Sequence, residues 1–209
     1  MKNFTRTAIF TCMFVLCFVT ESVSQSPFFV GLRGGAVFSN PSISNSVDNN
    51  LSHAINMCVG GILGFRMSET FAVITEPSYV RKGVNFLVFG EYAESLEADY
   101  LEIPVVMQAS SHWNHLMLHF YAGPSVAWKL SEAFHYNPNL AHAAVVRDYY
   151  SSTDLSVMVG TGVTFWVTNG VGILVDFRFA RGLNIVSNIG PETMRSSEVT
   201  IGGGLLFDL

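Results

Sequence analysis

Among the residues of the types that nucleophilic catalysis uses, His119, Ser125 and Asp154 are available on inward faces. A Ser/His/Asp arrangement can be assembled on any fold that brings the three together. The sequence has no G-x-S-x-G turn to present such a serine. All three fall on the polar side of alternating runs, where a substrate would reach them poorly, so an enzyme is not expected. Six histidines raise metal binding next. His112 and His115 flank Trp113-Asn114 in a predicted tight turn, and His135 and His142 lie in a long connection. No cysteine or carboxylate completes a tetrahedral set at the usual spacing, so neither a metal nor another cofactor is expected. Cys58 is predicted inward, unpaired and inert.

A different set of reactive side chains recurs with strand periodicity. Arg33, Arg66, Glu76, Lys82, Glu102, Lys129, Asp154, Asp176, Arg178 and Glu198 all fall on the less apolar face of alternating runs. Five positive charges against five negative ones can neutralise one another on the inside of a closed sheet. The chemistry expected of them is a structural ion-pair network. A proton or ion path would use the same residue types, and the spacing does not select it.

Composition sets the frame for that face. The 209 residues are 49% hydrophobic and only 13% charged, about half the charge of a typical soluble domain. Eighteen glycines and seventeen phenylalanines fit poorly with a helical bundle. Mean hydropathy is +0.36, yet only the N-terminal stretch is continuously apolar. A disordered chain and a polytopic helical membrane protein are thereby excluded. A net charge of −5 without a Lys/Arg run gives no footing for nucleic acid.

Met1–Arg6 carries two positive charges, Ala8–Val19 is apolar, and Thr20–Gln25 is polar with small residues at Ser22 and Ser24. This is the pattern of a secretory signal peptide over residues 1–24, its core too short for a membrane span. The expected mature domain is 25–209. Cleavage removes Cys12 and Cys17 and so leaves no partner for Cys58. Taking Lys2, Arg6 and Glu21 from eleven basic and sixteen acidic residues leaves nine and fifteen, net −6.

Beyond Gln25 the apolar pattern has period 2, the mark of strands with two unlike faces. Eight runs stand out, at 27–39, 55–67, 71–82, 99–110, 116–130, 153–167, 171–182 and 197–209. In the fifth, Leu116, Leu118, Phe120, Ala122, Pro124, Val126, Trp128 and Leu130 oppose His119, Tyr121, Gly123, Ser125, Ala127 and Lys129. Connections alternate between short (68–70, 111–115, 168–170) and long (40–54, 83–98, 131–152, 183–196). Tight turns on one rim and long loops on the other describe an all-β, eight-stranded antiparallel up-and-down transmembrane β-barrel. Ten tilted strand residues cover roughly 25 Å, the height of an outer-membrane apolar band. Closure leaves no sheet edge unpaired in lipid. On this reading the uniform apolar face meets lipid, and the charged, glycine-rich face turns inward. Eight strands enclose room for side chains rather than a wide pore. Phe28, Phe71, Tyr79, Tyr100, Trp128, Phe165, Trp166 and Phe207 near run ends are expected to form interfacial girdles or to pack in the core.

Several segments resemble one family. Glu76–Gly83 (EPSYVRKG) is similar to the E-l-x-Y-x-x-K-G strand of PorT-like outer-membrane β-barrel proteins of Bacteroidetes-type bacteria. Tyr100–Val105 (YLEIPV) matches their Y-L-E-I-P strand, and Tyr121–Pro124 (YAGP) resembles Y-a-G-P. Asp176–Leu183 resembles R-Y-x-x-G-L, and Gly31–Gly35 (GLRGG) is similar to G-x-K-G-G. Pro77 stands where an aliphatic residue is usual. The resemblance covers about 30–209 and implies an eight-stranded barrel in the outer membrane of Gram-negative cells. Some relatives are linked to secretion and gliding machinery. Gly204–Leu209 is similar to the C-terminal signal read by the outer-membrane assembly machinery.

The partners that follow are outer-membrane lipid, that assembly machinery, and a protein or glycan met through the long loops. The third loop offers Phe134, Tyr136, Tyr149 and Tyr150 as candidate contacts, since exposed aromatics among polar residues suit recognition. They equally suit a loop folded over the barrel mouth. The expected role is structural or interactive, including accessory service to secretion or cell-surface machinery. A soluble secreted lipocalin-like barrel with an apolar ligand, or a small barrel enzyme or conduit, is the alternative.

Overall fold

The computed structural model describes residues 26–39, 42–43, 51–88, 91–136, 151–168, 170–184 and 194–209. The expected signal peptide lies outside the described residues. The elements are strands: β1 (Phe28–Ser39), β2 (Ser42–Ile43), β3 (Leu51–Arg66), β4 (Phe71–Thr75), β5 (Ser78–Val88), β6 (Glu91–Trp113), β7 (Leu116–Tyr136), β8 (Thr153–Thr168), β9 (Val171–Gly182), β10 (Met194–Arg195) and β11 (Ser197–Asp208).

All pairings are antiparallel. β1 pairs with β11 on one side and β3 on the other. β3 pairs with β4 and β5, and both of these pair with β6. The ladder continues β6–β7, β7–β8, β8–β9 and β9–β11. Every strand of this main sheet has neighbours along both edges, a barrel-like fold. β2 and β10 form a separate short pair.

The expected third run is two strands because the ladder lapses at Glu76-Pro77, where proline has no N–H to give. Register is kept across the gap: Leu63 faces Thr75 and Gly60 faces Ser78, while the Pro77 carbonyl accepts from Gly61 N–H at 3.1 Å. A larger difference concerns the expected loop at 83–98. β5 runs to Val88 and β6 starts at Glu91, so most of that segment is strand. β7 likewise reaches Tyr136 and β3 begins at Leu51, inside two other expected loops. β6 also continues to Trp113, leaving Asn114-His115 as the turn, with Asn114 at φ 51°, a left-handed conformation that asparagine tolerates better than most residues.

Burial alternates along the strands. On β8 and β9, Asp154, Ser156, Met158, Thr164, Leu174, Asp176, Arg178 and Ala180 are buried, and Leu155, Val157, Val159, Phe165, Ile173, Val175 and Phe177 are exposed. The exposed face is therefore the branched-aliphatic and aromatic one, with Leu32 64%, Ile55 70% and Val175 58% exposed. Of the expected girdle residues, Phe28, Phe71, Trp128 and Phe165 are exposed. Tyr100 is not among them: it is fully buried inside, because it shares parity with Glu102. Trp166 packs against the interior cluster.

Towards the rim of short turns the interior is apolar, filled by Phe29, Ile62, Ile74, Val106, Leu174 and Leu206. Gly123 allows β7 to approach β6 closely here. A Cβ on Gly123 would meet the backbone of Val105 and Val106, which no side-chain rotation can relieve. Gly123→Ala is accordingly expected to cost about 1–3 kcal/mol, read from urea unfolding of the barrel folded into lipid vesicles.

Candidate functional site

The inward charges separate into two clusters at different heights. The first joins β1, β9 and the Glu76 break between β4 and β5. Arg33 donates to both Asp176 oxygens, at 2.8 Å from Nη2 and 3.0 Å from Nε. Arg178 donates to Asp176 at 2.7 Å and to Glu76 at 2.7 Å, and Arg33 Nη1 lies 3.5 Å from Glu76. Two guanidiniums thus alternate with two carboxylates, a balanced four-membered set. Tyr121 on β7 donates its hydroxyl to Asp176 at 2.9 Å while its ring lies under Arg178. Cys58 completes the wall, its sulfur 3.4 Å from Arg33 Nη1.

The second cluster is nearer the rim of long connections and centres on Lys82 of β5. Its Nζ lies 2.8 Å from Glu198, 3.1 Å from Asp154 and 3.4 Å from Glu102. Tyr100 places its ring 5.3 Å from the ammonium and donates its hydroxyl to the Ser151 carbonyl. Ser125 donates to Glu102 at 2.8 Å and Ser196 to Asp154 at 2.9 Å. β5, β6, β8 and β11 each supply one ionic group here.

Arg66 and Lys129 join neither cluster. Arg66 pairs with Asp208 at 2.5 Å and lies over Phe29 at the short-turn rim, and Lys129 pairs with Glu132 at 2.6 Å. Sequence reasoning named neither Asp208 nor Glu132 as a partner. Asp208 closes the last alternating run, where its contact with Arg66 depends on β1 lying between β11 and β3. Glu132 is i+3 to Lys129, and a bulge opposite Asp99/Tyr100 intervenes. A third set, Arg81 with Asp99 and Glu97, sits on the outward side.

Phe134 and Tyr136 fall in the β7 extension, with side chains outside the described residues; Tyr149 and Tyr150 also lie outside them. His112 and His115 are exposed at the tight turn. Among the described residues no group of three His, Cys, Asp or Glu side chains is arranged to hold a metal. Ser125 serves Glu102, Asp154 serves Lys82, and His119 stacks on Tyr121 at the other cluster. No catalytic constellation stands among the described residues. Two gaps inside, one of about 30 Å³ lined by Ile62, His119, Met158 and Leu174 and one of about 20 Å³ between the clusters, each have room for a water.

The family description "Outer membrane protein beta-barrel domain" matches residues 23–188 of the sequence. The chain belongs to that family. Among solved structures, this outer-membrane barrel protein is similar to Neisserial surface protein A (NspA), with a TM-score of 0.54 at 15% identity, covering 89% of this chain and 99% of that one. It is also similar to the outer membrane protein OprG from Pseudomonas aeruginosa, with a TM-score of 0.57 at 10% identity, covering 88% and 97%. At such identities the likeness is one of fold. No curated protein matches the sequence.

Proposed function

We propose that this family member is a closed, eight-stranded, up-and-down barrel that spans the outer membrane and serves a structural or interaction role through its long-connection rim. Counting β4 and β5 as one spanning segment and leaving aside the β2–β10 pair gives eight walls, with β1 meeting both β3 and β11. The observation that carries the reading is the inversion of faces. Arg33, Glu76, Lys82, Glu102, Asp154, Asp176, Arg178 and Glu198 are buried, while Leu32, Val59, Val157, Val175 and Ile201 are exposed. In water that arrangement would waste apolar burial and bury charge; in lipid it meets both demands. A lipocalin-like ligand site finds no support among the described residues, whose side chains pack the interior. A conduit finds none either, because ion pairs and an apolar layer occupy its cross-section.

Residues 1–24 direct export on this reading, and the C-terminal strand engages the assembly machinery. Tyr100–Val105 and Glu76–Gly83 support a PorT-like subgroup and hence accessory service to secretion or cell-surface machinery. Beyond the lipid-facing belt, β6 continues back to Glu91 and β7 on to Tyr136. Partner contact on this reading falls at these two extended strand ends, together with Tyr149 and Tyr150.

Deleting residues 137–150 tests the role of that rim. Heat-modifiable gel migration is expected to persist, and neighbours recovered by cross-linking in intact cells are expected to be lost. Unchanged recovery with an intact barrel would remove the third connection from the account.

A further inference from the structure

The Lys82 cluster is unbalanced. One ammonium faces three carboxylates, and the side chains of Lys82, Glu102, Asp154 and Glu198 are 8%, 6%, 1% and 7% exposed. Among the described side chains, the other groups that face them do not restore balance. Tyr100, Ser125 and Ser196 are neutral donors. Arg33 and Arg178, across the 20 Å³ gap, are matched by Asp176 and Glu76. Lys129 at the rim contacts Glu132. Among the described residues two negative charges are left over. Like charges gathered around one cation and withheld from water favour uptake of a proton or another cation. A second observation points the same way: Asp154, 2% exposed, has an oxygen, Oδ1, with no hydrogen-bond partner.

We propose that the Lys82 cluster is a proton-binding site, in which Glu102, Asp154 and Glu198 together hold a proton at neutral pH. The proton comes from and returns to water at the long-connection rim, and no bond between heavy atoms changes. Asp154 Oδ2 accepts from Ser196, whose carbonyl accepts from Gly182 N–H at 2.8 Å. The charge state of the cluster therefore bears on Ser196, the residue just before the last wall.

Infrared spectra of the full barrel, folded in detergent and titrated through neutral pH in light and heavy water, test this. Wild type is expected to show a protonated-carboxyl stretch near pH 7 that shifts in heavy water and is lost as pH rises. At least one of Asp154→Asn, Glu198→Gln and Glu102→Gln is expected to remove it. A wild-type spectrum without such a band from mildly acidic to neutral pH overturns the proposal, whether or not the variants fold. A band equally strong in all three folded variants also overturns it. So does a thermal midpoint that depends on sodium or calcium in a barrel lacking the band, which would assign the balancing charge to a metal ion.

Discussion

Asp176→Ala is expected to be among the most damaging single changes in this barrel, lowering its unfolding free energy by about 3–5 kcal/mol. Asp176 accepts from Arg33, Arg178 and Tyr121, and its side chain is only 1% exposed. Without it, two buried guanidiniums share Glu76 alone. The cost is that of a stranded buried charge rather than the net worth of the pair. Asp176→Asn, which keeps the shape and an acceptor for Tyr121, is expected to lose less. Combining Asp176→Leu with Arg178→Met removes one charge of each sign and is expected to recover part of the loss. Equilibrium urea unfolding in lipid vesicles measures all three. A loss under about 1 kcal/mol for Asp176→Ala would mean the guanidiniums are satisfied elsewhere.

Val175→Arg carries the second large effect, about 2–4 kcal/mol against folding into a bilayer. Val175 is 58% exposed on β9, between Gly203 of β11 and Val163 of β8, well inside the apolar belt. Arginine there must snorkel past several residues or drag water into hydrocarbon. In a soluble barrel the same position would face water, and an exposed substitution of this kind would cost within about 0.5 kcal/mol. The variant therefore separates the membrane reading from the soluble one in a single measurement of vesicle folding. Spin labels at Val159 and Ser156 report the same sidedness, with oxygen contact expected at Val159.

The belt was legible because one face of each run is apolar and the other is not, as in Leu155, Val157 and Val159 against Asp154 and Ser156. Legibility failed in two places for opposite reasons. Near the short turns both faces are apolar, since one meets lipid and the other fills the interior. Ile62-Leu63, Val105-Val106, Ile173-Leu174 and Leu205-Leu206 show no alternation there. The apolar interior layer was missed for that reason. Above the belt, Glu91, Glu94 and Glu97 interrupt any apolar period. The strand is held instead by its ladders to β5 and β7. Parity alone turned the ten charges inward, but it could not tell partners apart. The division into two clusters depends on strand order and register, which bring Arg33 of β1 to Asp176 of β9 across β11.

The layering of the interior also fixes where an electrical potential would fall. Hydrocarbon-like packing at the short-turn end is the poor conductor in the stack, so an applied voltage drops across it. On the membrane-spanning reading proposed above, Lys82 and its carboxylates lie on the long-connection side of that layer. A proton bound there would therefore be exchanged with that side alone.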